Sequence, residues 1–118
     1  GHFPEERIAL LKRLQNKYRL FLFSNTNALH LTRFREMYSS AFANTVFDDL
    51  FERAYYSHLL GMRKPTRESY EHIIQENKLE PARTLFIDDS ALNIEGAASA
   101  GLQGVLIKPE MSILDLDL

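Results

Sequence analysis

No cysteine occurs among the 118 residues of this chain, which excludes disulfides, thiolate zinc sites and a cysteine nucleophile. That absence gives no vote on redox compartment. No apolar run approaches the roughly 18 residues of a membrane-spanning helix, and the amino end lacks a signal-peptide core. The chain therefore reads as cytoplasmic, with no membrane partner. An excess of one charge is missing too: 14 Lys and Arg against 16 Asp and Glu leave a net charge of −2. The basic residues are scattered, so no stripe forms and no nucleic-acid partner is expected. Internal repeats and low-complexity segments are absent, and Gly1-His2 belongs to no motif.

What is present is one domain's worth of alternating pattern, long enough to bury a core. Pro4-Glu5-Glu6 opens a helix, with Ile8, Leu10, Leu11 and Leu14 as its apolar stripe. Arg19 to Phe23 reads as a strand, ending in the polar run Ser24-Asn25-Thr26-Asn27. A second helix carries Leu31, Phe34, Met37 and Tyr38 on one side. Phe42 to Phe51 is apolar but irregular, interrupted by Asp48-Asp49, and is expected to be a loop with one helical turn. Arg53 to Ser57 suggests a short edge strand, leading to Gly61 and Lys64-Pro65. Thr66 is placed to cap a helix whose Tyr70, Ile73 and Ile74 face inward, and Asn77 to Pro81 closes it. Thr84 to Ile87 is a strand, Ser90 to Ala100 a small-residue helix stopped at Gly101, and Gly104 to Ile107 a last strand. Helices alternating with strands predict an α/β fold with a parallel sheet.

Three polar sites follow strands. Leu85-Phe86-Ile87 runs into Asp88-Asp89, and carboxylates at such a tip sit where open α/β sheets bind ligands. Adjacent side chains on a strand diverge, so both acids serve one site only if the strand ends at Asp88. Two carboxylates repel unless a cation or hydrogen bonds compensate, and Mg²⁺ is a usual partner. A solvated Asp-Asp-Ser helix cap is the plainer alternative. Ser24 offers a hydroxyl, and Asn25 an amide, beside a helix amino terminus suited to phosphate; a simple turn and cap is the alternative there. Lys64, held extended by Pro65, could neutralise a phosphoryl group or a carboxylate. His30, His58 and His72 form no metal-ligand spacing, and surface or contact roles are expected of them.

Together these residues resemble the haloacid dehalogenase superfamily of hydrolases, in the phosphatase branch with a helical cap inserted early. Leu22 to Asn27 is similar to its second motif, Gly61-Met62-Arg63-Lys64-Pro65 to its third, and Phe86 to Ser90 with Asn93 to Ala97 to its fourth. The resemblance implies a Rossmann-like three-layer sandwich and a phosphomonoester hydrolase of small phosphorylated metabolites working through an aspartyl-phosphate. It implies that Ser24 and Asn25 hold the phosphoryl group and that Lys64 holds charge near nucleophile and phosphate. It makes Asp89 the first choice of Mg²⁺ ligand, with Asp88 a second ligand or an outer partner, and leaves open which of the two touches the metal. Many relatives place another acid about four positions beyond the metal carboxylate; Asn93 stands there instead, better suited to a hydrogen bond than to charge.

The family's first motif, a strand ending in an Asp-x-Asp whose first acid is the nucleophile, does not precede Ser24. Asp115-Leu116-Asp117 is the only Asp-x-Asp, and as alternating Leu and Asp at the end of the segment it reads as a frayed tail. Residues 1–118 are therefore expected to be a partial core domain, lacking the central first strand and the cap and inactive alone. A longer chain or a second polypeptide would complete the sheet. A non-catalytic binding module of the same fold, or a 2-haloacid dehalogenase, is the alternative.

Overall fold

In a computed structural model, residues 5–43 and 45–118 are described. Pro4, expected in the first helical turn, lies outside them. The chain divides into two units, Gly1–Gly61 with Asp117–Leu118, and Met62–Leu116.

In the first unit, Glu5 and Glu6 begin helix α1 (Glu5–Gln15) and Lys12 and Arg13 end it, so side-chain charge complements the backbone dipole at both ends. Ile8 and Leu14 are its buried face. Strand β1 (Phe21–Ser24) pairs in parallel with β2 (Arg53–Tyr56), Phe21 opposite Arg53 and Ser24 opposite Tyr56. Between them helix α2 (Ala28–Ala41) buries Leu31 and Tyr38. Met37, expected on that face, is instead exposed. At about 100° per residue Tyr38 returns close to Leu31, whereas Met37 stands about 120° away.

The irregular stretch from Phe42 to Phe51 is a packing centre, with a 3-10 turn at Phe47–Leu50. Ile8, Tyr38 and Leu50 form a buried cluster flanked by Leu11, Phe42, Phe47 and Phe51. The Phe47 ring meets Phe34 at 4.8 Å and Tyr38 at 5.3 Å, edge on. Asp48 interrupts the apolar run because Arg35 grips its carboxylate through two bonds, 3.1 and 2.6 Å. A single turn, α3 (Ser57–Leu60), follows β2 and ends at Gly61, whose φ of +75° suits glycine.

In the second unit helix α4 (Arg67–Asn77) buries Tyr70 and Ile73. Thr66 sits at its N-cap, but its hydroxyl is turned to donate to the Arg63 carbonyl and accepts no helix amide, so the expected cap is not made. Left-handed Lys78 closes it. Strand β3 (Leu85–Asp88) pairs in parallel with β4 (Gln103–Leu106) across helix α5 (Ala91–Ser99), which Ser90 caps by accepting the Asn93 amide hydrogen. Gly101, with φ of +90°, ends α5. The expected parallel pairing is realised as two separate two-stranded sheets, β1–β2 and β3–β4. The carboxyl-terminal Asp-x-Asp is not the expected frayed tail. Asp115 and Ser112 close a capping box around a 3-10 turn at Ile113–Asp115.

Two buried tyrosines make a controlled comparison. The Tyr70 hydroxyl donates to the Asn93 carbonyl at 2.7 Å, and its ring meets Phe86 edge on at 5.2 Å. Burial and the nearby Asp88 push its pKa up to about 12. The Tyr56 hydroxyl is buried beside Asp48 and Arg35 without a hydrogen bond of good geometry among the described residues, and burial, then Asp48, pushes it up to about 12 as well. Tyr70→Phe is therefore expected to cost about 1 kcal/mol in urea unfolding, because it removes a buried hydrogen bond between two elements. Tyr56→Phe should be nearly neutral, within about 1 kcal/mol, since it removes a buried hydroxyl whose approach to Asp48 and Arg35 falls short of a well-formed bond. Equal losses in the two variants would contradict this assignment.

Candidate active site

The second unit gathers its polar residues where β3 stops. The strand ends at Asp88, and the two neighbouring carboxylates differ in burial. Asp88 is turned inward: its side chain is 8% exposed and accepts a 2.7 Å bond from the Lys64 ammonium, itself 9% exposed. Its other oxygen, Oδ1, accepts the Ser90 backbone amide at 2.9 Å, while the Asn93 side-chain amide donates at 3.3 Å to Oδ2, the oxygen that Lys64 holds. Asp89 is exposed. Burial works to raise the Asp88 pKa, but Lys64 and the Ser90 amide outweigh it and hold the carboxyl below its ordinary 3.8. The Lys64 ammonium also lies 5.6 Å from the centre of the Phe86 ring, which supplies further cation stabilisation.

Lys64 reaches Asp88 because the cis Lys64–Pro65 turn packs directly on α5. Gly96 is the contact. A methyl group there would collide with the Pro65 carbonyl oxygen and come within 2.9 Å of Pro65 Cβ. Backbone on both sides leaves no rotamer to relieve the clash, so Gly96→Ala is expected to cost about 2 kcal/mol in urea unfolding. The same variant should loosen the Lys64–Asp88 pair, read as a rise of the Asp88 pKa toward 3.8 in carboxyl NMR titration. An unchanged stability would mean that turn and helix separate freely.

Ser24 and Asn25 belong to the first unit. Ser24, half-buried, ends β1, and Asn25 is exposed in the loop that leads to α2. Asn27 caps α2 by accepting the His30 amide hydrogen at 2.9 Å, and its amide nitrogen meets His30 Nδ1 at 3.2 Å. The Thr26 carbonyl is met by His58 Nδ1 at 2.9 Å and by the Ser57 hydroxyl at 3.4 Å. His72 lies in the second unit, 3.6 Å from Glu76 one helical turn on.

Mg²⁺ takes six oxygens and commonly keeps several waters, using only one or two carboxylates. Among the described residues no three His, Asp or Glu side chains cluster as a metal cage. Asp88, already neutralised by Lys64, suits an outer place, and exposed Asp89 has the chemistry of a direct oxygen donor. The pair thus fits one side of a Mg²⁺ shell and not the whole of it. Of the residues that matter here, sequence reading singled out Asn93 as a hydrogen-bonding position, but it did not find the Tyr70 anchor behind Asn93. A tyrosine on a helical stripe carries no signal beyond core packing.

The sequence profile of a family described as haloacid dehalogenase-like hydrolases matches residues 2–101. A sesquiterpene phosphatase, astK, of Aspergillus oryzae is 32% identical over 104 residues, covering 86% of this chain and 50% of that protein. A D-ribitol-5-phosphate phosphatase of Bacteroides thetaiotaomicron is 29% identical over 90 residues, covering 76% of this chain and 43% of that protein. Among solved structures, a HAD family enzyme of Bacteroides thetaiotaomicron in complex with magnesium and inorganic phosphate superposes with a TM-score of 0.85 at 30% identity. It covers 96% of this chain, which in turn covers 57% of it. The chain spans about half the length of the curated relatives it matches.

Proposed function

The chain belongs to the haloacid dehalogenase-like hydrolases, and on that premise we propose that it forms part of the core of a Mg²⁺-dependent phosphomonoester hydrolase acting on small phosphorylated metabolites. The observation that carries this reading is the buried Lys64–Asp88 pair set beside exposed Asp89. A phosphatase needs fixed positive charge and a metal-binding carboxylate at one strand tip. A phosphatase from each of two organisms and a neighbour holding magnesium and phosphate support the same class.

Ser24 and Asn25 hydrogen-bond the phosphoryl oxygens in this scheme, at a helix amino terminus whose free amides favour negative charge. Lys64 offsets charge on the phosphoryl group and on the attacking acid, while Asp88 and Asn93 hold the ammonium and its surroundings in place. Asp89, with Asp88 as an outer partner, binds the metal. When bound, Mg²⁺ supplies charge neutralisation to the phosphate. The attacking carboxylate and the general acid come from an Asp-x-Asp strand outside these residues, in a longer chain or in a second polypeptide. That strand and a cap complete a domain of which residues 1–118 are one part.

The test is phosphate release from a panel of sugar, polyol and isoprenoid phosphates by a polypeptide that joins this segment to an Asp-x-Asp strand. Turnover should require Mg²⁺ and cease with chelator. Turnover of 2-haloacids indifferent to chelator would instead make it a dehalogenase, and inactivity on every substrate with Mg²⁺ bound would favour a non-catalytic module.

A further inference from the structure

Two residues outside the three motifs hold the loop that carries Ser24 and Asn25. Parallel pairing sets Ser24 opposite Tyr56, so the segments following β1 and β2 leave the sheet side by side. Two residues beyond each strand end, the His58 imidazole meets the Thr26 carbonyl at 2.9 Å, joined by the Ser57 hydroxyl at 3.4 Å. A carbonyl only accepts, so His58 Nδ1 must carry the proton. His30 on the other flank is the reverse. Asn27 Oδ1 accepts from the His30 amide, which leaves the Asn27 amide group to donate to His30 Nδ1. The two imidazoles are thus opposite tautomers set by the same short loop.

We propose that His58, as the Nδ1–H tautomer and assisted by Ser57, is a positioning residue for the Ser24–Asn27 loop, fixing the Thr26 peptide so that Ser24 and Asn25 are presented to phosphate. The purpose rests on the phosphatase reading; the contact does not. Asn can reproduce the Nδ1–H donor of a histidine, and Gln reproduces Nε2 instead.

Long-range ¹⁵N–¹H NMR of the chain should show neutral His58 protonated at Nδ1 and neutral His30 at Nε2. His58→Ala and His58→Gln should speed amide exchange at His30 and Leu31, which Asn27 holds, by about fivefold. His58→Asn should leave them within about twofold of wild type, and amides of β3–β4 should not change in any variant. Titrated with inorganic phosphate and Mg²⁺ in the polypeptide that joins this segment to an Asp-x-Asp strand, Ser24 and Asn25 amides should shift with a midpoint about fivefold higher in the Ala and Gln variants than in wild type and Asn. His58 found protonated at Nε2, or identical exchange in all variants, overturns the proposal. No phosphate response in wild type counts against the phosphatase reading, and the tautomer and exchange results still decide the contact.

Discussion

Lys64→Met is expected to destabilise the second unit by about 3 kcal/mol in urea unfolding followed by circular dichroism. Both partners of the ion pair are less than a tenth exposed, so removing the ammonium strands a carboxylate away from water. The cost falls at the low end of the range for broken buried pairs because the Ser90 amide and Asn93 still donate to Asp88. Asp88→Asn removes the charge from the other side, and the double variant should recover about 2 kcal/mol relative to the sum of the singles. The acid limb adds a second readout. The folded-state pKa of Asp88 is depressed, so near pH 4 the unfolded chain binds more protons than the folded one, and stability rises with pH there. The pair's contribution is complete above the ordinary carboxyl value and fades as pH falls through the lowered one. Lys64→Met should flatten that limb. Additive single-variant losses, or an unchanged acid limb, would show that the pair is solvated in solution.

Asp89→Asn is expected to abolish Mg²⁺-supported turnover of the assembled enzyme while changing stability by less than about 0.5 kcal/mol. Asp89 is exposed, and its influence on Asp88 is the smallest of those acting there, so folding has little use for its charge. Asp88→Asn should behave in the opposite sense, losing stability first. Phosphate release across a Mg²⁺ series, run beside urea unfolding of the same preparations, reads both quantities. If Asp89→Asn keeps the wild-type Mg²⁺ response and Asp88→Asn loses it, the direct metal ligand is Asp88.

Much of this could be read along the chain. Asn27 and Ser90 are strong cap residues placed just ahead of apolar periodicity, and both cap their helices. The four short strands stand where apolar runs meet turn residues. Thr66 does not cap because its side chain is turned toward the Arg63 carbonyl, to which it donates, a local choice of rotamer that residue type does not rank. The stretch from Phe42 to Phe51 has no period because its rings converge from several directions on Tyr38 and Leu50.

The sequence by itself determined the family, the order of helices and strands, and the three loops that carry polar groups, because capping, periodicity and motif spacing are written between near neighbours. Only the tertiary structure decided that Asp88 is buried and Asp89 exposed, that Lys64 belongs to Asp88, and that Gly96 is small to admit Pro65. Two adjacent aspartates are chemically identical in the unfolded chain. What separates them is the Lys64 ammonium, brought from 24 residues away, joined by the nearby Ser90 amide, and that placement exists only once the unit has packed.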